Sequence, residues 1–288
     1  DGSDLASIVF DEGSKTSVAG WQSKQNGQVV AVAPGGLIKA KAESGAIEWL
    51  GELDAHVPDT GKLTQVGVAA GQVVLSTPAT DGGLKVGSNA SIKGQAATDA
   101  LSGSLAVDAF VLRGETDTDN ALGMIADKLR DGGVFREVAI RDRSDDLVLN
   151  KNLKADRVVL SADAGDLTVA ANVVIDAAAE RGGFVKLAAG QDLTVKSGAV
   201  IRVDSDVQSG ANGGDVLLSS TNGQVRLEAG STISAKGDDA QDGRVVVRAK
   251  AEKLQDGGQL QATVTAGEYY AEGGQAYDIG AGDAAVLQ

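Results

Sequence analysis

The chain has 288 residues, with 26 lysines and arginines against 40 aspartates and glutamates, a formal net charge of −14, no cysteine and a single histidine. Nucleic acid is excluded as a partner because phosphate neutralisation needs a basic footprint. The missing thiols exclude disulfides, thiol catalysis and cysteine-held metals, and one histidine excludes a His-rich zinc site.

The apolar content is Ala, Val, Leu and Ile, with only two tryptophans, three tyrosines and four phenylalanines. Small aliphatics suit a narrow core of stacked, similar layers. With 39 glycines and three prolines, the chain is rich in turns without the proline content of a disordered linker. No apolar run approaches the ~20 residues of a membrane helix, so no transmembrane segment is expected. No secretory signal opens the chain, which reads as a mature form or a segment of a longer polypeptide.

Residues 1–117 read as irregular coils with longer loops. Val30/Val32, Ile38/Ala40 and Ile47/Trp49 stand at the offsets of a three-strand round. Val66/Val68, Val74 and Leu84/Val86 follow approximately, and Leu105/Val107 and Val111 continue the signal. His56 falls in a Pro58-containing loop that interrupts the rounds. A separate amino-terminal sandwich is the alternative. Residues 118–133 break the strand rhythm and predict one short helix near 119–131, laid over the strands. Thr118-Asp119-Asn120 supply N-capping oxygens, Leu122, Ile125 and Leu129 share a helical face, and Gly132-Gly133 stop it.

From 134 to 288 the pattern becomes regular. Val138/Ile140, Leu147/Leu149 and Leu153/Ala155 form one round, followed by Val158/Leu160, Leu167/Val169 and Ile175/Ala177. Then come Val185/Leu187, Leu193/Val195 and Ile201/Val203, and Val216/Leu218, Val225/Leu227 and Ile233/Ala235. A last round reads Val245/Val247, Leu254 and Ala262/Val264. Period-two alternation recurring in threes predicts an all-β fold, a right-handed parallel β-helix or three-sheet β-solenoid. Its coils of 20–31 residues vary in length after the third strand. Those insertions end in Gly182-Gly183, Gly213-Gly214, Asp242-Gly243 and Gly273-Gly274, as chain reversals with positive φ require.

Within 134–250, Ala162-Asp163-Ala164-Gly165-Asp166-Leu167-Thr168-Val169, Leu187 to Val195, Leu218 to Val225 and Glu228-Ala229-Gly230-Ser231-Thr232-Ile233 share a cadence. Small-Gly-x-Asp-Leu-Thr-Val is followed by Gly-x-x-Ile-x-Ala. This resembles the filamentous haemagglutinin family of large bacterial β-helical exoproteins. The resemblance implies secretion through an outer-membrane partner to the cell surface, and a role in adhesion or biofilm. The family's amino-terminal secretion module, with its Asn-Pro motifs, is not recognisable here.

Carboxylate pairs are the candidate chemistry. A carbohydrate-active β-helix enzyme needs carboxylates flanking the bond, and Asp145-Asp146 is an adjacent pair with Asp163 and Asp166 roughly one coil along. The Gly-His and Arg-Ile-Lys companions and an aromatic platform are missing, however, and solvated turn carboxylates are the simpler reading. Loop acids Asp204, Asp206, Asp238, Asp239 and Asp242 project from the insertion edge and could share a structural calcium ion; no other cofactor is expected. Tyr269-Tyr270 are candidate ligand contacts, as paired aromatics suit sugar or protein surfaces. The expected function is a non-catalytic, structural or adhesive rod of a secreted or cell-surface bacterial protein. Its partners would be adjacent coils of a longer polypeptide or identical subunits end to end, and host-surface or matrix glycans. A self-assembling fibre subunit is the alternative, and a β-helix polysaccharide lyase or hydrolase the third.

Overall fold

The structure is a computed structural model that describes residues 7–58, 67–116, 119–205, 210–238 and 241–249, and the backbone of 263–265 and 268–272. It is mostly β, with short strands in parallel sheets and, among the described residues, one α-helix. The chain divides between Ile140 and Arg141, inside strand Glu137–Asp142, into two compact units.

In the second unit the chain visits three parallel sheets in a fixed order. One sheet contains Arg157–Ala162, Phe184–Ala189, Asp215–Ser220, Arg244–Arg248 and Glu268–Glu272. Another contains Leu147–Leu149, Leu167–Val169, Leu193–Val195 and Val225–Leu227. The third contains Leu153–Lys154, Val174–Asp176, Val200–Arg202, Thr232–Ser234 and Thr263–Thr265. β-branched and Leu residues alternate with polar ones, and register places each inward residue over its equivalent. Val158, Val185, Val216 and Val245 stand in one ladder; Leu167, Leu193 and Val225 stand in another; Ile175, Ile201 and Ile233 form a third. Nearly all of these side chains are inaccessible. A one-residue slip would turn a whole strand inside out, so the aliphatic positions themselves fix the register.

Two turn ladders explain the cadence in the sequence. The residue three before each Ile of the third sheet is left-handed in Asn172, Gly198 and Gly230, with φ of 61°, 74° and 83°. Only Gly, or less readily Asn, takes that conformation cheaply. At the turn into the middle sheet, Asp146 Oδ1 accepts from Asp166 N, Asp166 Oδ1 from Asp192 N, and Asp192 Oδ1 from Gln224 N, at 2.7–2.9 Å. Each aspartate thus stitches its turn to the equivalent turn of the next round.

The insertion glycines need a different explanation from the one the sequence suggests. Gly182 has a positive φ of 72°, but Gly183, Gly213, Gly214 and Gly243 do not. Their requirement is close approach. A Cβ on Gly183 would lie 1.6 Å from Ala177 O, one on Gly214 2.0 Å from Gly183 O, and one on Gly243 1.8 Å from Gly214 O. Gly273-Gly274 lie outside the described residues.

The first unit also has three parallel sheets. Ile8–Phe10, Ala46–Trp49, Gly83–Val86 and Leu112–Arg113 form one. Lys15–Ser17, Glu52–Asp54 and Ser91–Lys93 form the next, and Leu37–Lys41, Gln72–Thr77 and Ser104–Ala109 the third. Two expectations fail here. Val30/Val32 do not open a parallel round: Gln28–Val32 pairs antiparallel with Gln22–Gln25, around Asn26 and Gly27 at φ 50° and 76°. An Asn-Gly pair with both φ positive closes a two-residue hairpin whatever the longer cadence suggests. Val74 is not an inward residue either. Val73 and Leu75 are, and Val74 takes the opposite face, while Val66 lies outside the described residues.

The helix, α1, spans Ala121–Gly132. Asn120 caps it by accepting from Gly123 N at 2.6 Å, Gly133 ends it in the left-handed conformation, and Leu122, Ile125 and Leu129 are buried. It covers the outer strand Ser91–Lys93. Gly94 N donates to Gly132 O, and Lys128 Nζ donates to Ser88 O and Ala90 O at 2.9 and 2.8 Å. Gly132 is required there because a Cβ would meet Ile92 O at 1.9 Å. An otherwise open strand edge is thereby occupied by helix.

Candidate functional site

The insertion edge contains three of the five acids expected to share an ion, and each is engaged with backbone. Asp204 Oδ1 accepts from Ser234 Oγ at 2.6 Å and Lys236 N at 2.7 Å. Asp238 Oδ2 accepts from Gly210 N at 3.0 Å, and Asp242 Oδ1 from Gly237 N at 2.9 Å. Asp206 and Asp239 lie outside the described residues, among which no three His, Cys, Asp or Glu side chains converge on one point. The loops also bond to one another, through Ser205 N to Lys236 O and Gly213 N to Gln241 O. Asp204 and Asp238 thereby staple successive insertions together, and Asp242 braces its own.

Tyr269 and Tyr270 lie in strand Glu268–Glu272, with Cα positions opposite Val245 and Val246. Neighbouring positions on a strand belong to opposite faces of the sheet.

Three of the four carboxylates weighed for sugar hydrolysis have structural tasks, and the fourth, Asp145, is exposed. Asp146 and Asp166 belong to the aspartate ladder. Asp163 accepts from Ser161 Oγ at 2.8 Å and Arg141 Nε at 2.7 Å. Burial raises its pKa, but the Arg141 and Ser161 bonds outweigh this and hold it below the usual carboxylate range.

Among the described residues, the densest constellation of ionisable groups is one that sequence reasoning missed. Strands Lys15–Ser17 and Glu52–Asp54 pair with Lys15 opposite Glu52 and Ser17 opposite Asp54. Asp54 sits on the outward-pointing side of its strand yet is 1% exposed. Its Oδ2 meets Lys15 Nζ at 2.6 Å and accepts from Ser17 Oγ at 3.1 Å, and its Oδ1 meets His56 Nδ1 at 2.5 Å. Glu52 bridges Lys15 at 3.0 Å and Lys93 at 2.9 Å. Burial pushes the Asp54 pKa up, but bonds from His56 and Lys15 prevail and lower it to about 2. Glu52 is likewise held low by Lys93 and Lys15. An Asp–His pair beside a serine invites comparison with a hydrolytic triad, but the serine donates to the aspartate, whereas a triad needs it on the imidazole. The arrangement is an ion cluster that ties the outer strand to its neighbour.

Beside this cluster, α1 and strand Ser91–Lys93 enclose a cleft of about 450 Å³. Ala90, Ile92 and Gly132 are buried in its wall, Met124 and Ser91 are half-buried, and Gln95 is exposed at its rim. Lys128 crosses it, and burial lowers its pKa. Comparison with protein-family models, curated proteins and solved structures finds no match to the chain.

Proposed function

We propose that the chain is a right-handed parallel β-helix and a non-catalytic, structural and adhesive segment of a secreted or surface-anchored bacterial protein of the filamentous haemagglutinin kind. The observation that carries the reading is the fixed order of three sheets with superposed aliphatic ladders in the second unit. Repetition of one layer produces length and a patterned flank rather than a pocket. The engagement of Asp146, Asp163 and Asp166 with backbone amides and with Arg141 and Ser161 favours the non-catalytic reading over a hydrolase built on them. Beads coated with the purified chain should adhere to matrix-coated or cell-coated surfaces under flow. Coated beads that detach like uncoated ones would sink the adhesive part. A globular small-angle scattering profile would sink the rod.

The second reading is a self-assembling subunit of an extracellular fibre. Ile8–Phe10, Lys15–Ser17 and Leu37–Lys41 are each outermost in their sheets among the described residues, and Val9 and Leu37 are 50% and 54% exposed. Open parallel edges with exposed aliphatics favour continuation by another rung. Electron microscopy over a concentration series decides it: filaments that lengthen with concentration support the subunit, and a monodisperse particle at all concentrations removes it.

A further inference from the structure

We propose that the cleft between α1 and strand Ser91–Lys93 is a binding site for a neutral, hydroxyl-rich ligand, a mono- or disaccharide unit. This rests on the adhesive reading and assigns a contact point to it.

The walls are pre-formed. Gly94 N bonds to Gly132 O at 2.8 Å, and Lys128 reaches across to two carbonyls of the segment that precedes the strand. A volume of about 450 Å³ falls within the roughly 300–1,000 Å³ of small-molecule sites. Its charge argues for the class of ligand. Four ionic side chains line it, two lysines and two aspartates, in a chain of net charge −14. Each is already engaged: Lys93 with Glu52, Lys128 with Ser88 O and Ala90 O, and Asp127 and Asp131 with Arg130. The two cations and two anions of the lining sum to zero, so the cleft favours neither sign of ion. The cleft offers an apolar surface of Ala90, Ile92 and Met124 beside Ser91 and Gln95, whose side chains both donate and accept. A pyranose presents the same combination, with C–H faces that pack on aliphatic groups and a rim of hydroxyls that each donate and accept. An apolar peptide would leave the polar rim unpaired, at a cost of about 1–3 kcal/mol per buried group.

The test is titration of the full chain with maltose, cellobiose and N,N′-diacetylchitobiose, and with digalacturonate as the anionic probe, by calorimetry and ligand-observed NMR. At least one neutral disaccharide should saturate, with digalacturonate weaker than it. Gln95→Ala, at an exposed position that cannot threaten the fold, should weaken binding about tenfold by removing a hydrogen-bonding rim group. Met124→Arg, on the half-buried face of the helix, should abolish it with an unchanged circular dichroism spectrum. Failure of all three neutral sugars to saturate by about 20 mM, tighter binding of digalacturonate, or full binding by both variants would each overturn the proposal. Bead adhesion that persists without sugar binding would leave the adhesive reading intact and remove only this site.

Discussion

Asp54 shows how a residue can look like chemistry and act as structure. A carboxylate 1% exposed is tolerable only with its charge matched, and Lys15, Ser17 and His56 supply that match from one neighbouring strand and a loop. Depression of its pKa from 3.8 to about 2 corresponds to about 2 kcal/mol of stability. The sign follows from the lower folded value: the contribution is complete above the unfolded pKa near 4 and is lost as the pH falls through 4 towards 2. Asp54→Asn should therefore cost about 2 kcal/mol at pH 7, and the gap from the parent should close near pH 2. Tryptophan fluorescence in urea measures it selectively, because Trp21 and Trp49 are the chain's two tryptophans and both belong to the first unit. A gap that persists undiminished at pH 2 would mean that Asp54 acts by shape alone.

At the scale of elements, what could be read from the residues depended on whether the signal was local and repeated. Every inward pair assigned from Val158 to Ala235 is buried, and their strands stack as spaced, because alternation fixes the face and the equal offsets fix the register. The helix was equally legible from Asn120 and Gly133. The hairpin was missed because Val30 and Val32 imitate a strand of the round, while Asn26-Gly27, the stronger signal, went unweighed. Strands Glu52–Asp54 and Ser91–Lys93 were missed because each has one central aliphatic, Leu53 or Ile92, flanked by polar or charged residues. The ion cluster was invisible for the same reason, since only pairing brings Lys15 and Ser17 beside Asp54, 37 residues on from Ser17. The insertion glycines were recognised, but for the wrong cause, and this distinction can be tested. Gly214→Ala places a Cβ 2.0 Å from a carbonyl oxygen and should cost about 2–4 kcal/mol by overpacking. Gly210→Ala, at φ 61° with nothing within 4 Å, should cost only about 1 kcal/mol of conformational strain. Chemical denaturation followed by far-UV circular dichroism should rank them in that order; equal losses would restore backbone conformation as the common cause.

Within the second unit, stability is distributed as in any array whose layers touch only their neighbours. Leu193 stands between Leu167 and Val225 in register and is 0% exposed, so truncation opens a cavity shared by three layers. Leu227 pairs with Val195 and is the last described rung of its sheet. Both substitutions to alanine should cost about 2–5 kcal/mol, but the consequences should spread differently. Nearest-neighbour energetics let an outer layer fray alone, whereas a weakened middle layer uncouples the layers on both sides. Hydrogen exchange should accelerate across 167–169, 193–195 and 225–227 in Leu193→Ala, and only across 193–195 and 225–227 in Leu227→Ala. Uniform acceleration through the whole unit in both variants would instead indicate a single cooperative block. The layered outcome has a functional corollary. If each rung is held by its neighbours and its turn carboxylates are committed to stitching, then rung residues can change only within narrow limits of size and face. Away from their stitching acids and close-packed glycines, the exposed positions of the insertions and of α1 are less constrained, and they are where a molecule built this way can acquire a ligand without loosening its stack.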